Sequence, residues 1–156
     1  MTARELQDAV ASDLKKLFSG IYYKTPEEST SPPNIYKQFL PKRTVEDGGK
    51  DDPYPYIIVR LDSGGIETQR DPHKVAVLLL IGIYDDDLQN NGHLAVLEII
   101  EKIQRHYEET PALKEFVCAD PFNWALQDEE SYPYYFGACN LTFHVPAPRA
   151  KWSGLV

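Results

Sequence analysis

The stretch Val75–Tyr84, reading VAVLLLIGIY, constrains this chain more than any other. It holds almost no polar group and is rich in β-branched side chains. It runs directly into Asp85-Asp86-Asp87 and then the turn signal Asn90-Asn91-Gly92. An apolar run this short, closed by turn residues, reads as a strand buried on both faces of a sheet. A sheet built around such a strand needs cover, and two amphipathic patterns supply it.

The first pattern opens with Thr2-Ala3-Arg4-Glu5, a capping box, and continues with Leu6, Val10, Leu14, Leu17 and Phe18 at steps of three and four. Lys15 and Lys16 suit the negative end of a helix dipole and Gly20 can stop it, so the spacing predicts a helix over 3–18. The second runs from Gly92 to Glu109, with Val96, Ile99, Ile100, Ile103 and Tyr107 as its apolar stripe, and ends before Thr110-Pro111.

The remaining strands follow from alternation. Pro55–Leu61 places Ile57, Val59 and Leu61 on one face, and Asp62-Ser63-Gly64-Gly65 reads as the turn leading towards Val75–Tyr84, which predicts an antiparallel pair. Ile21–Lys24 can begin a strand, Leu113–Cys118 is a short apolar piece, and Phe122–Leu126 alternates. Asp128-Glu129-Glu130-Ser131 reads as a charged turn before the last strand. In that strand, Tyr135–Val145, Cys139, Leu141, Phe143 and Val145 alternate against Asn140, Thr142 and His144. The predicted fold is one α+β domain over 1–156, a mainly antiparallel sheet with two helices packed on one face. Two segments stand outside that pattern. Residues 25–54 are broken by Pro26, Pro32, Pro33, Pro41, Gly48, Gly49 and Pro53 and read as a long loop or arm, with Asn34–Leu40 its strand-like piece. Residues 147–156 read as an extended tail without a core pattern.

The sequence offers little chemistry. His73, His93, His106 and His144 form no ligand pair at metal-binding spacing, and Cys118 and Cys139 read as free thiols of a reducing compartment. Asp85–Asp87 lacks the glycine and the terminal glutamate of a calcium loop and reads as a solvated strand end. No phosphate loop, dinucleotide fingerprint or nucleophile elbow occurs. The expectation is therefore a protein without enzymatic activity, cofactor or metal. A formal charge of −8 argues against holding nucleic acid through its phosphates. The first residues show no signal-peptide pattern, and no apolar run approaches the ~18–20 residues of a membrane span.

Aromatic usage is the anomaly. Tyr54, Tyr56, Tyr132, Tyr134, Tyr135, Phe136, Trp124 and Trp152 gather near prolines, and tyrosine and tryptophan in such positions mark protein interfaces. The candidate interface residues are Tyr36, Phe39, Tyr54, Tyr132, Tyr134, Arg149 and Trp152.

Four stretches carry a resemblance: the Pro55–Leu61 strand; Val75–Tyr84 with Ile81-Gly82-Ile83-Tyr84-Asp85; the helix led by Gly92; and Tyr132-Pro133-Tyr134-Tyr135-Phe136-Gly137 entering the last strand. Over roughly residues 54–146 the chain resembles the tail terminator (tail completion) proteins of long-tailed phages and prophages. That resemblance implies a structural protein of the virion tail, present in the host cytoplasm during assembly. It implies a homo-oligomeric, hexameric ring that caps the tail tube, halts its polymerisation and joins tail to head. The implied partners are the major tail tube protein and a head-completion or connector protein, with DNA passing through unbound. Two other readings stand beside it: another head–tail joining or minor tail protein, and a monomeric α+β ligand-binding or regulatory module using the aromatic cluster as a pocket.

Overall fold

The computed structural model describes residues 2–42 and 52–146. Helix α1 spans Ala3–Leu17, with the Thr2 hydroxyl accepting from the Glu5 amide at 3.2 Å and Gly20 in the left-handed region just beyond. Helix α2 spans His93–Glu109. The strands are β1 (Tyr23–Lys24), β2 (Thr30–Ser31), β3 (Asn34–Lys37), β4 (Tyr56–Gly65), β5 (His73–Tyr84), β6 (Ala112–Leu113), β7 (Phe116–Leu126) and β8 (Tyr134–Val145). β1 and β2 form a small hairpin, and the other six make one sheet in the order β3-β4-β5-β8-β7-β6. Every pair in that sheet is antiparallel except β3 with β4, which run parallel. The fold is α+β.

β5 and β8 are the long central pair, matched residue for residue from His73↔Val145 to Tyr84↔Tyr134. Alternation sends Val75, Val77, Leu79, Ile81 and Ile83 to the same side as Cys139, Leu141, Phe143 and Val145. There they meet Leu6, Val10 and Leu14 of α1 and Val96, Ile99, Ile100 and Ile103 of α2 in one core. Burial of each such side chain stabilises the fold by roughly 1.5–3 kcal/mol before ordering costs. Both helices lie on that one face. A part-buried polar contact closes α1 onto α2: Asp13 accepts from the Tyr107 hydroxyl at 2.9 Å and pairs with His106 Nε2 at 2.8 Å.

Two sequence expectations need correction. β5 is buried on one face, not two: Ala76, Leu78 and Leu80 on the other side are half-buried. Asp62-Ser63-Gly64-Gly65 is no turn; it continues β4 across a bulge between Leu61 and Ser63, and the chain reverses over residues 66–72 instead. Glycine is tolerated in a bulged strand as readily as in a turn, which is why the pair misled. Within the expected loop or arm of 25–54, the strand-like piece Asn34–Leu40 holds β3, which gives the sheet its edge, β2 precedes it, and residues 43–51 lie outside the described residues. Leu113–Cys118 and Phe122–Leu126 fall mainly within β6 and one bulged strand, β7.

Candidate functional site

The side of the sheet away from the helices can be read row by row from the register. Ile58, Leu80, Ala138 and Ala125 lie abreast, with Tyr36 of β3 beside Ile58. The next row is Arg60, Leu78, Asn140 and Asn123; the one after it is Ser63, Ala76, Thr142 and Ala119. Lys74, His144 and Val117 complete that end. Among the described residues, the paired strand positions of this face carry no aspartate or glutamate, although the chain as a whole bears −8. The described acids sit on the helices, in the loops, and at the β-bulges.

The opposite end of the same face is aromatic. Tyr56 lies over Gly82, whose missing side chain makes room for the ring. Tyr54 then stacks at tilted angles on Tyr56, Tyr134 and Phe136, with centroids 5.1, 4.7 and 6.1 Å away, and Tyr134 continues to Tyr84 at 5.8 Å. Such pairs contribute ≈ 0.5–1.5 kcal/mol each beyond their burial. Burial pushes the Tyr54 hydroxyl well above the ordinary tyrosine range, with the neighbouring Tyr56 and Tyr134 adding to the effect. The rings touch one another.

Beyond the aromatic end, two acidic loops are tied together. The Tyr132 hydroxyl donates to the Asp86 carbonyl at 2.6 Å, Asp85 N–H donates to the Pro133 carbonyl at 2.9 Å, and Tyr135 bonds Asn90 through its hydroxyl. Asn90 Nδ2 donates in turn to Glu130 at 3.3 Å. Asp85 and Asp86 lie 3.0 and 3.5 Å from Lys24 Nζ, and the Asp85 and Asp87 carboxylates accept from the amides of Asp87 and Gln89. The aspartate run is thus a braced turn that also holds the β1–β2 hairpin.

Of the seven residues singled out from sequence, the structure brings Tyr54 and Tyr134 into contact and places Tyr132 on the adjoining loop. Tyr36 and Phe39 lie at the β3 edge, where Phe39 is exposed and carries the Arg60 guanidinium 4.9 Å above its ring. Arg149 and Trp152 fall outside the described residues, as does residues 147–156 as a whole. Tyr56, Phe136 and Tyr84 complete the aromatic group. One sequence signal links this group: Tyr-Pro-Tyr occurs twice, at 54–56 and 132–134, and the two copies meet across the sheet.

The reactive groups are quiet. Burial pushes the Cys118 thiol up to about 11 and the Cys139 thiol to about 12, so both stay protonated near neutral pH and are weak nucleophiles. Among the described residues no group of three or more His, Cys, Asp or Glu is placed to hold a metal ion, and no helix is long and apolar enough to cross a membrane. No protein-family model matches this sequence, and a search of curated proteins returns no match.

Proposed function

We propose that this chain is a structural assembly protein of a long phage tail, a tail terminator that forms a ring at the head-proximal end of the tail tube. One observation carries the reading: the six-stranded sheet is covered by helices on one face, while the other carries one apolar row (Ile58, Leu80, Ala138 and Ala125) beside its aromatic end and no carboxylate at its described paired positions. Surface of that kind suits contact with protein, and the aromatic end of the same face has the composition of an interface core. The α+β fold and the resemblance over residues 54–146 support the same conclusion. A net charge of −8 suits a ring through which DNA passes without phosphate binding. Subunits in such a ring need one patch and its complement, and the rotation closes it, with six copies as the implied number.

A small-molecule module would need the aromatic residues to surround a space. Their mutual ring contacts at 4.7–6.1 Å favour the assembly reading instead. The test is light scattering across protein concentration together with electron microscopy, alone and with tail tubes. Rings free in solution or seated on tube ends are expected. A chain that stays monomeric in both settings and binds a small molecule would overturn the proposal. Seating at another point of the tail or neck would assign it to a different joining role.

A further inference from the structure

The six-stranded sheet ends on two unlike edges. At one, β3 is four residues long, Pro32, Pro33 and Pro41 flank it, and its Lys37 is tied to Asp8 of α1. Short strands, prolines and lysines discourage another chain from pairing there. At the other, β7 runs for eleven residues while β6 covers it over two pairs, Ala112↔Val117 and Leu113↔Phe116. The Cys118 amide, donating to the Pro111 carbonyl at 2.8 Å, closes that cover, and the bulge between Ala119 and Asn123, with Pro121 in it, shields the next residues. Phe122–Leu126, reading FNWAL, has no charge, no proline and no cover from β6.

The edge left bare offers hydrogen bonds. The Gln127 amide donates to the Phe136 carbonyl of β8 at 3.1 Å, and the register turns the amides of Asn123 and Ala125 the same way. Those of Trp124 and Leu126 therefore point outward, where among the described residues no strand accepts them. Trp124, opposite the inward Cys139, lies on the helix side and is 52% exposed, with Phe122 and Leu126 partly buried on the same side. Asn123 and Ala125 are exposed on the other face. From either end the order is the same: large apolar side chains at 122, 124 and 126, smaller ones between. A second copy laid antiparallel about Trp124 sets Phe122 beside Leu126, Trp124 beside its counterpart and Asn123 beside Ala125. Copies of a chain of charge −8 repel, and this span brings no carboxylate opposite another; Asp120 and Asp128 lie beyond its ends.

We infer that β7 pairs with β7 of a second copy, antiparallel and centred on Trp124, and so joins two sheets edge to edge through an isologous contact. The outward amides and carbonyls of the two strands satisfy each other, and the two indoles lie side by side on the helix side. This contact uses the edge of the sheet and is independent of assembly through its open face.

Amide hydrogen exchange of the full chain at low and high concentration reads the pairing directly. Trp124 and Leu126 should gain protection about tenfold or more as the dimer forms, while Asn123 and Ala125, bonded to β8, stay protected at both. Equal exchange of Trp124 and Leu126 throughout, or a chain monomeric up to about 1 mM, overturns the pairing. Trp124→Lys sets two like charges side by side and should weaken dimerisation about tenfold or more with circular dichroism unchanged. A folded Trp124→Lys that dimerises as before overturns it too. Register is checked by oxidising Asn123→Cys mixed with Ala125→Cys, each also carrying Cys118→Ala. The mixed disulfide should form faster than either symmetric one, and no preference overturns the centring on Trp124. Leu80→Lys separates this contact from the ring: it should fall back to the β7 dimer. A monomeric Leu80→Lys overturns the pairing and leaves the ring standing, whereas a parent chain that stops at the dimer, even with tail tubes, upholds the pairing and fails the ring.

Discussion

Tyr56 lies so closely across Gly82 that a Cβ at position 82 would sit 2.2 Å from its ring. The glycine is therefore a packing requirement of the aromatic end rather than a point of backbone freedom. Gly82→Ala should displace the Tyr56 ring and cost about 1–3 kcal/mol by overpacking. Urea unfolding of Gly82→Ala, alone and with Tyr56→Leu, checks this. Recovery in the double variant is expected, and an unchanged midpoint in the single one would mean the ring moves aside freely.

The half-buried apolar row on the open face gives a second prediction. Leu80→Lys should leave circular dichroism and the melting temperature nearly as they are, because Leu80 contributes nothing to the helix-side core. Sedimentation velocity should show a clear loss of self-association. A variant that unfolds while remaining associated would mean that Leu80 is a core residue.

Asp13 joins the two helices through His106 and Tyr107. Asp13→Asn keeps an acceptor for the tyrosine hydroxyl but removes the charge, and should lower stability by about 1–2 kcal/mol. Asp13→Leu should cost more, since it leaves the Tyr107 hydroxyl without that acceptor. Equal midpoints for parent, Asn and Leu variants in denaturant titration would show that packing alone holds α1 against α2.

Alkaline pH supplies a fourth. The Cys139 thiol has an ordinary value of 9.0 and is pushed to about 12 by burial, so the folded state holds its proton more tightly than the unfolded chain does. The stabilisation this represents is complete below pH 9 and is lost as pH rises towards 12, amounting to a few kcal/mol, on the order of the shift at ~1.4 kcal/mol per unit. Cys139→Ala should flatten that part of the stability curve. An identical slope of melting temperature against pH between 9 and 12 would assign the loss to other groups.

Much of this architecture was legible in the sequence because it rests on local periodicity. Leu6, Val10 and Leu14 mark the buried stripe of α1, and Cys139, Leu141, Phe143 and Val145 mark the inward face of β8; all are buried. Legibility failed where the cause was not local. Ala76, Leu78 and Leu80 are apolar like their inward neighbours, so hydrophobicity does not separate the face turned to the core from the half-buried one. The parallel pairing of β3 with β4 depends on partners some twenty residues apart and leaves no alternation signature. Contact between Tyr54 and Tyr134 depends on the whole register of β4, β5 and β8.

The central position of β8 also has a consequence for how the chain is made. β5 finds its second partner only after residues 85–133 have been added. During synthesis from the N-terminus, β4 and β5 exist first as a hairpin whose outer β5 edge, apolar on both sides over Val75–Ile83, awaits its partner β8. A bare edge of that kind is a template for the same strand of another nascent chain. Synthesis at high rate should therefore fail by aggregation through β5, whereas a slower rate, giving α2 and β8 time to arrive, should yield soluble protein.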